Sequence, residues 1–221
     1  MCKWCVDMGA KKQEELPGYV SSLIHHFGIS PVCLLSIAGD YITYNSTGGI
    51  PFEANHYAAM MSPSGLYPFT IGYFVADCIT FALPEAYCKP GFASKVFLIH
   101  HIVAVSMIYA TYTLGVGVLS QVFPGMMCTE LSTIFFNIAW IMRAFGLREY
   151  KVVTLFESLF AIFFLLLRNG HLTLLIYMLW YDIAGFGVFQ GSIVISTALQ
   201  FFWGYKIVMS LLLSKKKTKS V

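Results

Sequence analysis

The stretch FLIHHIVAVS, Phe97 to Ser106, sets two adjacent histidines, His100 and His101, in the middle of an apolar run. If the run crosses a bilayer, the pair sits where ionisable groups are costly and usually functional. Composition says which solvent applies. The chain has 221 residues, 57% hydrophobic and only 11% charged, with a mean hydropathy of +0.70. A soluble domain carries about 25% charged residues. Too few charges remain to solvate a globule of this size, so lipid is the solvent. The sequence predicts an all-α, polytopic membrane protein of one domain, without internal repeats or low-complexity tracts.

Residues 1–18, MCKWCVDMGAKKQEELPG, are polar. They lack an apolar core and a small-residue cleavage site, so no cleaved signal peptide is expected, only a cytosolic segment. The six cysteines, Cys2, Cys5, Cys33, Cys78, Cys88 and Cys128, are scattered. That spacing is not a disulfide framework, and Cys2-x-x-Cys5 has no partner motif, which favours a reduced pair or an S-acylation site. A spanning helix needs about 20 mostly apolar residues, and six windows qualify, at roughly 19–39, 66–84, 95–114, 120–145, 150–170 and 190–213. The stretch 171–190 is also apolar. Asp182, Gly185 and Gly187 within or beside it suggest an interfacial or re-entrant segment over a seventh span. The expected organisation is a transmembrane domain over 19–213 and a basic cytosolic tail over 214–221.

The 14 Lys and Arg residues test the count. Lys3, Lys11 and Lys12 precede the first window, Lys89 and Lys95 lie in the second connection, and Arg143, Arg148 and Lys151 flank the fourth. Lys206, Lys215, Lys216, Lys217 and Lys219 end the chain, and Arg168 falls inside the fifth window. The first, third and fifth connections hold none. By the positive-inside rule, six crossings with both termini cytosolic follow. Asn45-Ser46-Thr47 is then a glycosylation sequon on the far side, close to the membrane. Lys217 and Lys219 match a K-x-K-x-x retrieval pattern, which predicts residence in the endoplasmic reticulum membrane. The alternative is a basic flank that fixes topology and attracts anionic lipid.

Depth, at about 1.5 Å per residue, organises the polar groups. His25 and His26 in the first window, Asp77 in the second, His100 and His101 in the third, Asn137 in the fourth and Glu157 in the fifth fall about 10 Å from the cytosolic side. Groups at one level on five helices imply an interhelical cavity or buried network, because they must face inward and pair. Glu130, Thr133, Asn137 and Trp140 recur at helical spacing, as do Thr154, Glu157, Ala161, Arg168 and His171. An imidazole there serves as base or nucleophile, oriented by a carboxylate such as Asp77 or Glu130. Adjacent histidines point about 100° apart on a helix, so no metal site is expected. Hydrogen bonding between helices is the plainer role.

These residues carry a family resemblance. Ser22-Leu23-Ile24-His25, Gly72-Tyr73-Phe74-Val75-Ala76-Asp77, Ile99-His100-His101 and the segment Glu130-Leu131-Ser132-Thr133-Ile134-Phe135-Phe136-Asn137-Ile138-Ala139-Trp140 occur in family order, with Arg168 in the fifth span. The chain resembles TLC-domain proteins over roughly residues 11 to 214. That family includes ceramide synthases, a translocon-associated protein and Batten-disease-type endoplasmic-reticulum proteins, and the chain is most similar to its small lipid-homeostasis members. In ceramide synthases the histidine pair is followed by a His-Asp and a further Asp. Here Cys128-Thr129-Glu130-Leu131-Ser132-Thr133 stands in that region, with one carboxylate and no His-Asp.

The resemblance implies a membrane protein of lipid homeostasis that binds or senses an acyl lipid, with membrane lipids and a homo- or hetero-oligomeric partner as its contacts, no nucleic acid and no cofactor. A second reading is an N-acyltransferase with acyl-CoA as substrate and His100, His101, Asp77 and Glu130 as its site. A third is a non-catalytic membrane subunit or chaperone. The expected cavity residues are His25, His26, Asn137, Trp140, Glu157 and Arg168, with His100 and His101 facing Asp77, Asn137 and either Glu130 or Glu157.

Overall fold

A backbone in hydrocarbon has no water to satisfy its N–H and C=O groups, so each crossing must supply its own hydrogen bonds. The computed structural model describes residues 10–47, 66–88, 91–114, 125–180 and 187–218, and among them the chain is helical with no strand. Six helices result. α1 is Ala10–Thr47, an uninterrupted run of 38 residues with Pro17 and Pro31 inside it. α2 begins as Leu66–Asp77, widens into a π-helical stretch, Cys78–Ala82, and finishes as Leu83–Cys88. α3 is Phe92–Leu114 and carries the histidine pair. α4 is Leu131–Ala144, entered through a tight turn at Cys128–Glu130. α5 runs from Lys151–Phe163 through a second π-helical stretch, Phe164–His171, into Leu172–Leu179. α6 is Gly187–Thr218.

Five of these hold stretches long and apolar enough to cross a membrane: Glu14–Leu35, Leu66–Cys88, Gly125–Ala144, Lys151–Leu174 and Gln190–Ser210. α3 adds a shorter apolar stretch, Lys95–Ala110. The chain is therefore an all-α polytopic bundle, as its composition predicts. Several boundaries differ from the expected windows. α2 continues through Pro84, because the Leu83 N–H bonds the Cys78 carbonyl five residues back and the wider turn makes room for a residue that has no N–H. The expected interfacial segment is, as far as Leu179, a continuation of α5. Asp182 and Gly185 lie outside the described residues, as do Lys3, Cys2 and Cys5, and Gly187 opens α6.

α4 ends where Gly146 adopts φ +79°, a left-handed conformation that glycine tolerates best. The Leu147 N–H then caps the Met142 carbonyl at 3.0 Å, and the chain reverses into α5. Neighbour contacts run α1–α2–α3–α6–α5–α4 and return to α1, which closes a ring. Ile24, Phe27, Ile79, Leu155, Ile162 and Leu166 are exposed on its outside, as lipid contact requires. Inside, one end is plugged by a packed apolar core that includes Ile29, Cys33, Met107, Ile108 and Ile193. The other end is open.

Candidate functional site

The ring encloses a cavity of about 760 Å³, to which all six helices contribute side chains. That lies within the roughly 300–1,000 Å³ typical of small-molecule sites. Its mouth is formed by Glu14 and Glu15 near the start of α1, Glu85 and Cys88 at the end of α2, and Lys206 on α6. Farther in, the polar side chains gather into two clusters on its wall.

The first is a dyad between α3 and α2. His101 is 4% exposed. Its Nε2 lies 2.5 Å from Asp77 Oδ2, and its Nδ1 donates to the Phe97 carbonyl at 3.0 Å. A carbonyl only accepts, so Nδ1 carries the hydrogen there, and both ring nitrogens are engaged. Asp77 is held at the last α-helical position before the π stretch of α2.

The second cluster is centred on Glu130 and Arg168, both 6% exposed. Arg168 Nη2 donates to Glu130 Oε2 at 2.6 Å and to Thr133 Oγ1 at 2.7 Å. Its Nε donates to Ser132 Oγ at 3.1 Å and its Nη1 to Gln200 Oε1 at 3.4 Å. Glu130 also faces His26 Nε2 at 3.0 Å. His26 Nδ1 in turn donates to the Ser22 carbonyl at 2.5 Å, and Asn137 Nδ2 donates to Ser22 Oγ at 2.8 Å. One network thus joins α1, α4, α5 and α6. An uncompensated polar group in hydrocarbon costs several kcal/mol, which is why each side chain finds a partner on a neighbouring helix.

His100 stands between the clusters. Its ring packs edge-on to His101 at 5.6 Å and to Trp203 of α6 at 5.2 Å. Its Nδ1 is buried and has no hydrogen-bond partner among the described residues. Of the adjacent pair, His101 is committed through both nitrogens and His100 is not.

The expected site residues therefore divide. His26, Asp77, His100, His101, Glu130, Asn137 and Arg168 come together on the cavity wall. Glu157 does not. Its side chain is 37% exposed and pairs with Arg143 across the α4–α5 turn, outside the cavity. At α-helical spacing Glu157 and Arg168 share a face, but the π-helical stretch from Phe164 onward uses wider turns and rotates Arg168 away from it, toward the interior. Depth agrees. Counted from Lys151, Glu157 is about 9 Å in, and Arg168, inside the π-helical stretch beyond Phe164, lies more than two turns deeper. The Glu130–Arg168 cluster therefore lies deeper than the single layer expected from the sequence.

His25 is also displaced from its expected place. With His26 turned inward, its neighbour points about 100° away. The His25 ring stacks on Tyr73 at 4.0 Å and packs against Phe69 at 5.2 Å, beside the cavity and not on its lining. Trp140 stacks on Tyr19 at 3.7 Å and backs the wall that Tyr19 lines. Sequence reasoning placed Ser22 and Ser132 in the resemblance motifs without naming them as site residues, and it missed Gln200, an amide in the middle of an apolar window that was itself a usable signal. Among the described residues, no three or more His, Cys, Asp or Glu side chains meet as a metal site.

A ring of membrane-crossing helices around a mostly apolar cavity with two buried polar clusters on its wall defines a polytopic membrane protein with an interior site. A family model for the TLC domain matches residues 19–213, and the chain belongs to the TLC-domain family. This places it among membrane proteins of lipid metabolism or sensing. No curated protein and no solved structure matches it.

Proposed function

We propose that the protein binds an acyl lipid inside the helix ring and serves lipid homeostasis in the endoplasmic reticulum membrane. The observation that carries this reading is the cavity: about 760 Å³, open at one end, closed at the other by apolar core, with its charged wall groups already paired. An acyl chain fits apolar walls, and a polar head fits the mouth, where charged side chains remain. The alternation of basic residues along the sequence turns that mouth toward the cytosolic leaflet. The test is a lipid extract of the detergent-purified protein. An acyl lipid should co-purify in near-stoichiometric amount and resist exchange by detergent washing. Complete loss of lipid on washing would refute the reading.

One observation favours a second, enzymatic reading. His100 keeps an unengaged Nδ1 beside a histidine that Asp77 already holds. On this reading the acyl group of an acyl-CoA enters the cavity, His100 is the base or acyl acceptor, and His101 is a positioning residue. Incubation with acyl-CoA and an amine acceptor decides it. Amide product that disappears in His100→Ala supports the enzyme, and no product above the blank leaves lipid binding alone.

A further inference from the structure

Behind the main cavity lies a second, smaller chamber of about 40 Å³. The two share Phe74, His100 and Glu130, so a single layer of side chains separates them. Beyond that layer the chamber is walled mainly by Met107, Met126, Met127, Leu172, Ile176 and Ile193. Most of these belong to the core that plugs the ring.

Three of its polar wall groups are committed elsewhere, whereas the His100 Nδ1 has no hydrogen-bond partner among the described residues. Thr129 Oγ1 donates to the Met126 carbonyl at 2.6 Å. Glu130 and Gln200 both accept from Arg168. What remains facing inward is mostly carbon and sulfur. A space holding one water needs roughly 10–15 Å³ on the same measure, so this one admits a few heavy atoms and no head group. Methionine is unbranched and has three rotatable bonds, so a wall with three of them yields by small amounts to contents of different length.

We propose that this chamber receives the terminal carbons of the acyl chain held in the main cavity, and that Met107, Met126 and Met127 set the chain length the protein prefers. The inference rests on the acyl-lipid reading above. Each further methylene that finds room here leaves water or detergent for an apolar wall, and each one denied room loses that gain. The expected discrimination is about fourfold per methylene.

The purified protein is incubated with an equimolar mixture of saturated fatty acids from myristate to lignocerate, and the bound species are read by mass spectrometry. Met127→Trp and Met107→Phe fill the chamber and should move the bound distribution to shorter chains, with total occupancy kept. Met107→Ala and Met126→Ala enlarge it and should move the distribution to longer ones. If a filling variant fails to fold, by loss of its monodisperse elution, the enlarging variants decide. Folded variants that bind fatty acid at wild-type occupancy with an unchanged length distribution would overturn the chamber's role while leaving the acyl-lipid reading intact. A wild-type protein that binds no fatty acid in the mixture would overturn both.

Discussion

The deepest charged contact, Arg168 with Glu130, makes a sharp quantitative prediction. Arg168→Met removes the guanidinium while keeping a long apolar side chain in its place. It deletes the donations to Glu130, Thr133, Ser132 and Gln200 together, and it leaves the Glu130 carboxylate buried with only His26 and Thr133 to face. Breaking a buried pair by removing one partner costs about 3–5 kcal/mol, because an uncompensated charge remains. For a chain of this length each kcal/mol moves a thermal midpoint by about 2–4 °C, so the single variant should melt on the order of 10 °C lower. Glu130→Met should do comparable damage from the other side. The double variant removes both charges at once, and a buried pair replaced by apolar residues of similar volume is close to neutral. Its residual loss is the His26 contact, about 1 kcal/mol. The two substitutions should therefore couple by about 5–9 kcal/mol, above the roughly 0.5–3 kcal/mol usual for residues in one network. Unfolding in detergent, followed by fluorescence of the four tryptophans, measures it. Single variants that melt within about 2 °C of the parent, or a double variant whose losses simply add, would refute the reasoning.

Four further predictions concern other parts of the chain. A Cβ on Gly18 would lie 2.5 to 2.8 Å from the ring of Phe81 at the mouth, so Gly18→Ala should destabilise by about 1–3 kcal/mol, with Phe81→Leu restoring most of it in the same melting assay. The Arg143–Glu157 pair is 47% and 37% exposed; Glu157→Gln should change stability by less than about 1 kcal/mol and leave lipid occupancy in the purified protein untouched. A cysteine placed at Asn45 should be unreachable by membrane-impermeant thiol reagent from the cytosolic face of sealed vesicles, whereas changing both Lys217 and Lys219 to serine should release the protein from the reticulum toward the cell surface in imaging.

Much of this was legible before any coordinates. The low charge required a membrane protein, and the spacing Glu130, Thr133, Asn137 put three polar groups on one side, where all three line the cavity. The histidine pair was legible as an interior feature because no lipid-facing position tolerates two imidazoles. What stayed hidden depends on packing. An even count of 1.5 Å per residue assumes α-helix throughout, yet π-helical stretches follow Asp77 and surround Arg168, and they change which residues share a face. That is why Glu157 was paired with the site and Arg168 was not placed at its centre. His25 and His26 are equivalent in composition, and only the approach of Tyr73 and Phe69 decides which one turns toward the cavity. The division of labour between His100 and His101 was likewise invisible, since it follows from one carbonyl, Phe97, and one carboxylate, Asp77, on different helices.

The central claim is that an acyl chain lies inside the ring and not merely around it. Photo-crosslinking with a diazirine-bearing fatty acid in membranes, followed by peptide mapping, tests this directly. The account predicts adducts on inward residues such as Tyr73, Phe74 and Trp203, competed by excess unlabelled fatty acid. Adducts confined to the outward Ile24, Leu155 and Ile162, and insensitive to competition, would contradict it.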